Sequence, residues 1–211
     1  IVINDLPRVV KKFKKNWHPA HARDQFQRNA LVRGIKHCND NDLIMISDLD
    51  EIPNPEKILK FGSENNYSCF IQNNYLLKFN LLNTTEPYWY GTRMCRKKNL
   101  KSPQWLRENK ARKLPFYKFY KPRFDKFIKN GGWHFSSVKD ANGIYKKLNC
   151  YSEQQFNNKI YKNIDIIEKK ISEKRDLFNR DYKYKVVNLY NSFPDFILKN
   201  KEKLKNLIYK E

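Results

Sequence analysis

The chain reads as one α/β domain whose C-terminal part turns helical, and three observations predict this. Short apolar runs bounded by turn residues alternate with segments of helical period across residues 1–150. The order is strand and helix in alternation, then strands, then helices through 151–211, which suits an α/β core with an α-rich end. At 211 residues there is material for one sizeable core and too little for two ordinary domains.

Taken in order, Ile1 to Val10 reads as strand and loop, and Ala20 to Cys38 as a helix with Phe26, Ala30, Leu31, Ile35 and Cys38 on one stripe. Leu43 to Ile46 is a buried strand, four apolar residues after a polar Asn-Asp turn. Asn54-Pro55-Glu56 supplies an N-cap, a first-turn proline and a favourable negative charge for a helix through Ile58, Leu59 and Phe61. Tyr67 to Leu82 suggests two strands joined tightly at Asn73-Asn74. Trp89 to Cys95 and Phe116 to Tyr120 suggest further strands on either side of a lysine-rich loop. A strand resumes at Gly131 to Ser136, and Gln154 to Phe178 and Pro194 to Tyr209 read as amphipathic helices.

The net charge of +21 raises nucleic acid as a partner, because a basic face binds phosphates by releasing counterions. The lysines are spread along the whole chain and interleaved with asparagine, a pattern of solvated faces rather than of one binding arm. Nucleic acid is therefore not the expected partner, although a general attraction to anionic substrates follows. No apolar run approaches the roughly 18 residues that span a bilayer. Cys38, Cys69, Cys95 and Cys150 form no CxxC pair, which argues against a structural zinc site and a disulfide framework, and Cys69 reads as a buried free thiol. The expected compartment is the cytoplasm, or the Golgi lumen if the chain is a piece of a eukaryotic-type enzyme.

Chemistry concentrates at Ser47-Asp48-Leu49-Asp50-Glu51-Ile52-Pro53, where a strand delivers three carboxylates to its C-terminal end. Ligands gather at such ends in open α/β sheets. If the extended geometry continues, Asp48 and Asp50 face the same side, roughly 6–7 Å apart. Their mutual repulsion calls for a cation, and oxygen donors favour magnesium, manganese or calcium. The plainer reading is that acids after a strand begin a turn or cap a helix. A second cluster is Gly131-Gly132-Trp133-His134, with glycines for close backbone approach, a flat apolar face and a metal- or phosphate-binding imidazole. Its plainer reading is a buried Trp beside a hydrogen-bonded His.

Together these residues resemble glycosyltransferase family 17, the β-1,4-mannosyl-glycoprotein N-acetylglucosaminyltransferase family. Similar segments occur in the family's order: Arg23-Asp24-Gln25-Phe26-Gln27-Arg28-Asn29-Ala30-Leu31, the Asp48-Leu49-Asp50 motif, Gly132-Trp133-His134-Phe135-Ser136, Arg175-Asp176-Leu177-Phe178-Asn179-Arg180 and Phe193-Pro194-Asp195-Phe196-Ile197. The resemblance implies a GT-A-like nucleotide-sugar-binding sandwich, here without the first N-terminal strand. It implies an inverting transfer of N-acetylglucosamine from a UDP-sugar to a glycan acceptor with manganese or magnesium.

By the same resemblance Asp50 is a metal ligand, Asp48 a second ligand or a ribose contact, and Glu51 an orienting carboxylate. His134 is a third ligand or a diphosphate donor, Trp133 lines the sugar pocket, and Arg28 meets phosphate or forms a structural pair. An inverting transfer needs a base for the acceptor hydroxyl. Glu153, which stands where the family often has His, and Asp140 are the candidates. Two other classes stay open, a metal-dependent hydrolase using the same carboxylates and a basic anion-binding module without catalysis.

Overall fold

A computed structural model describes residues 4–5, 19–62, 64–109, 123–150, 161–190 and 192–210. The fold is mixed α/β. Its helices are α1 (Pro19–Ala30), α2 (Pro55–Ile58), α3 (Pro103–Arg107), α4 (Ala141–Cys150), α5 (Ile164–Ser172) and α6 (Asp195–Lys199). Eight strands belong to one sheet: β1 (Leu43–Ile46), β2 (Glu51–Pro53), β3 (Tyr67–Leu76), β4 (Leu81–Asn83), β5 (Tyr88–Arg96), β6 (Lys126–Ile128), β7 (Gly132–Ser136) and β8 (Tyr184–Val186). The chain divides into two compact units. One comprises Ile1–Ile46, Phe61–Cys69 and Arg93–Phe127; the other comprises Ser47–Lys60, Phe70–Thr92 and Ile128–Glu211.

In the first unit the expected helix through Cys38 is shorter. The α-helix stops at Ala30 and the chain tightens into a 3₁₀ turn over Leu31–Ile35. Val32 and Gly34 are weak helix formers, and Leu31 and Val32 are 43% and 49% exposed, so packing does not hold an α-helix there. β1 pairs antiparallel with β5, Ile44 opposite Cys95 and Ile46 opposite Arg93. Only alternate residues of β1 are buried, so it is half-buried rather than covered on both faces. Ile44, Ile46, Cys95 and Leu106 form the core, joined by Ile35, Cys38, Tyr67 and Trp105. α3 starts on Ser102, whose hydroxyl accepts from Trp105 N at 3.1 Å, ahead of Pro103. The expected strand at Phe116 to Tyr120 lies outside the described residues, as does most of Ile1 to Val10.

In the second unit β3 and β7 run parallel, with Asn73 opposite Trp133, Asn74 opposite His134 and Tyr75 opposite Phe135. β2 pairs antiparallel with the other side of β7, Glu51 opposite His134 and Ile52 opposite Trp133. The tight connection expected at Asn73-Asn74 is absent: β3 runs through both residues, because β7 supplies them with a partner strand. The chain turns instead at Leu77 to Asn80, with Leu77 at φ +68°. Asn54 caps α2 as expected, its Oδ1 accepting from Glu56 N at 3.0 Å.

The C-terminal part is less helical than its periodicity suggests. α5 starts on an Asn163 cap and ends at Ser172; residues 154–160 of the expected helix lie outside the described ones. β8 pairs with β4, Leu82 opposite Lys185. α6 stops at Lys199, where the Asn200 backbone N–H and side-chain amide both donate to Phe196 O, at 3.1 and 2.8 Å. α4, for which the sequence reading has no element, starts on Asp140, whose carboxylate accepts from Gly143 N at 2.7 Å. It packs Ile144 and Leu148 against Ile167 and Ile171 of α5 and Leu77 and Leu81 of the sheet side. Each such side chain contributes about 1.5–3 kcal/mol on burial. A second core cluster joins Tyr75, Trp133, Phe135, Phe193 and Ile197.

Candidate functional site

The two predicted clusters meet in the second unit, but on different terms from those expected. β1 ends at Ile46, so the acidic motif does not ride on an extended strand. Glu51 N donates to Asp48 O at 3.0 Å, which makes residues 48–51 a tight turn and removes the same-side geometry expected for Asp48 and Asp50. The turn is pinned by side chains. Glu51, 4% exposed, accepts from Asp48 N at 3.1 Å, and the Ser47 hydroxyl donates to Glu51 O at 2.8 Å while contacting Thr92 Oγ1 at 2.7 Å. Leu49 at the tip is fully exposed and Asp50 half-buried.

Strand register then assembles the site. Residues directly opposite in paired strands share a face, so Glu51, His134 and Asn74 form one row across β2, β7 and β3. Trp89 lies flat on His134, with ring centroids 4.3 Å apart and planes 10° from parallel, and its Nε1 donates to Glu51 Oε1 at 2.7 Å. His134 is 7% exposed. Its Nδ1 lies 2.9 Å from Asn74 Oδ1, and the Asn74 amide nitrogen donates to Glu86 O at 2.9 Å. A carbonyl accepts only from that nitrogen, so Oδ1 must face the imidazole and Nδ1 carries the hydrogen. Nε2 is left toward Asp50, 3.6 Å from its Oδ2.

The neighbours of Asp50 favour its ionised form. Burial works against a charged Asp50, but the contact with His134 and the positive charge of Lys147 outweigh it, so the carboxyl titrates below its ordinary range. The 3.6 Å separation is that of a His–Asp ion pair and also lies within the range for two ligands of one ion. Two ligands of one divalent ion, each about 2.0–2.2 Å from it, sit about 3–3.6 Å from one another. A metal-ligating His almost always donates its other N–H to an oxygen, as His134 does to Asn74. The pair can supply two ligands of an incomplete shell; the carboxylate suits manganese or magnesium, whereas the imidazole is not the oxygen donor magnesium favours. Among the described residues no three His, Cys, Asp or Glu side chains converge to enclose an ion.

The other predicted residues are placed differently. Trp133 and His134 are consecutive on β7 and point to opposite faces. Trp133, 8% exposed, lines a separate cavity of about 770 Å³ with Asn73, Pro53, Asn54, Phe193 and Asp195. Gly131 and Gly132 serve the protein's own packing, not a ligand: at Gly132, with φ +132°, a Cβ would collide with Ile52 O and come within 2.8 Å of Asn54 N. Arg28, in the first unit, donates to Gln104 Oε1 at 2.5 Å, and Asn29 Oδ1 accepts from Gln104 N at 3.0 Å, which ties α1 to α3. Asp140 is the α4 cap. Glu153 lies outside the described residues. Asp176 is a buried hub, taking Arg180 Nε at 3.0 Å, Arg180 Nη2 at 2.6 Å and the Tyr184 hydroxyl at 3.1 Å.

The sequence reading missed Asn74, Trp89 and Lys147. Trp89 carries one signal, since a strand tryptophan needs a partner for its N–H when buried. Asn74 and Lys147 carry none without the register. No family model, curated protein or solved structure matches the chain. Among the described residues no helix is long and apolar enough to cross a membrane.

Proposed function

We propose that the protein is a metal-dependent, inverting glycosyltransferase that moves a sugar from a UDP-sugar to a glycan acceptor. The donor sugar is N-acetylglucosamine, on the resemblance of its motifs to glycosyltransferase family 17. The observation that carries the reading is the facing pair of Asp50 Oδ2 and His134 Nε2, 3.6 Å apart, with the imidazole hydrogen held on the far side by Asn74. Asp50 and His134 would hold the ion; Asp48 does not converge with them and is the ribose contact instead. A divalent ion so held would neutralise charge on the donor diphosphate. Glu51 orients rather than reacts: its carboxylate is occupied by Trp89 and by the Asp48 amide. Glu153 and Asp140 are the candidate bases; one oxygen of Asp140 also caps α4.

Calorimetry of UDP-N-acetylglucosamine binding, with manganese and with chelator, tests the reading. Binding that needs manganese and disappears in Asp50→Ala is expected. Donor affinity that is indifferent to the chelator and to Asp50 overturns it. Salt-sensitive binding of nucleic acid that survives loss of Asp48 and Asp50 would favour a basic binding module instead.

A further inference from the structure

Beyond the Asp50–His134 pair, the second unit places cationic groups on the same side of the sheet, just past the C-terminal end of β7. Ser137 follows the strand directly and adopts φ +56°, a left-handed conformation that is costly for a residue with a side chain. The turn leads through Lys139 to Asp140, the cap of α4. Lys147 lies on the packed side of α4, between Ile144 and Leu148, and its ammonium reaches back to donate to Ser137 Oγ at 3.0 Å. The ammonium also lies close enough to the Asp50 carboxylate for each to feel the other's charge.

Lys139 belongs to the same group. A Cβ on Gly143 would stand 3.0 Å from Lys139 Cβ and 3.3 Å from its Cδ, so the Lys139 stem lies in the notch this glycine leaves on α4. Gly143 and Lys147 are four residues apart, one above the other on the helix. The notch thus directs Lys139 along the face that carries Lys147, whose charged form the Lys139 charge disfavours. Burial disfavours the charged form of Lys147, while the Asp50 carboxylate works the other way.

We propose that Ser137, Lys139 and Lys147 form the diphosphate-binding side of the site, opposite the metal-binding pair. This rests on the glycosyltransferase reading and names the residues that receive the leaving group. When the bond between the sugar anomeric carbon and the diphosphate oxygen breaks, its electron pair stays on that oxygen. The Lys147 ammonium takes up that charge, and the Ser137 hydroxyl supplies a second donor. Lys139 draws the anion in. Lys147 then has opposite effects on the two halves of the site, repelling a divalent cation at Asp50 and attracting the phosphate.

The test titrates manganese alone, and pyrophosphate with and without manganese, into the wild type, Lys147→Met, Lys147→Arg and Lys139→Met. The expected result is a loss of pyrophosphate affinity of about tenfold or more in Lys147→Met, with manganese binding as tight as in the wild type or tighter. Lys147→Arg is expected to restore most of the loss and Lys139→Met to show a smaller one. A purely structural lysine would weaken both ligands together. Unchanged pyrophosphate affinity in a folded Lys147→Met or Lys147→Arg overturns the inference while leaving the metal site standing. A wild type that fails to bind manganese overturns the metal reading, and pyrophosphate binding that still depends on Lys147 would then support the lysine inference independently.

Discussion

Replacing Glu51 by Ala removes the side chain on which the whole acidic turn rests, and the structure sets the size of the effect. Two donors lose their acceptor, Trp89 Nε1 at 2.7 Å and Asp48 N at 3.1 Å. A buried donor left unpaired costs about 1–3 kcal/mol, so the pair costs about 2–6 kcal/mol. Asp48 and Trp89 are both half-buried, so water recovers part of each share, and deleting a buried carboxylate relieves some desolvation. The net expectation is about 2–4 kcal/mol of lost stability, a large part of what a domain of this size has. Glu51→Gln keeps an oxygen acceptor and is expected to cost about 1 kcal/mol. Urea unfolding followed by tryptophan fluorescence measures both, and the loosened turn is expected to lower manganese affinity in the Ala variant as well. A folded Glu51→Ala protein within about 0.5 kcal/mol of wild type, a size usual for neutral surface changes, would refute the reasoning.

Gly132→Ala forces a Cβ into the backbone of β2 at a φ of +132° and is expected to cost about 3–5 kcal/mol from strain and overpacking together; urea midpoints check it, and an unchanged midpoint contradicts it. Asp176 is a pH-dependent support. Burial opposes its ionisation, but the bonds from Arg180 and from the backbone outweigh it and lower its folded pKa. Its contribution is therefore present above the unfolded value of about 3.9 and is lost as pH falls through the folded one. The stability gap between wild type and Asp176→Asn is expected to close on acidification, and a gap constant from pH 6 to 2.5 would contradict this. Burial pushes the Cys95 thiol up to about 12 and Cys69 has no exposed surface, so both are expected to resist alkylation at pH 8 until the protein is unfolded, as read by mass spectrometry.

Much of this was legible in the residues, and the limits have physical reasons. The Asn54 cap, β1, β5 and β7 follow from local chemistry, in which cap, proline and apolar run agree. The turn at Asp48 to Glu51 matches the plainer reading that acids after a strand begin a turn; the extended reading fails because it ignores a carboxylate that bonds the backbone three residues earlier. Asn73-Asn74 looks like a turn on propensity, yet lies inside β3 because β7 pairs with it, a tertiary partner overriding local preference. Trp133 and His134 were grouped by adjacency, although a strand sends neighbours to opposite faces. Asp50 and His134 were each visible as chemistry. Their meeting depends on the register of β2 on β7, which no local signal specifies.

The central claim is that Asp50 and His134 share one divalent cation. Electron paramagnetic resonance titration of manganese into the wild type, Asp50→Asn and His134→Ala tests it most directly. One bound ion in the wild type is expected, with affinity lower by about tenfold or more in each folded variant. Equal affinity in all three proteins would contradict the shared site.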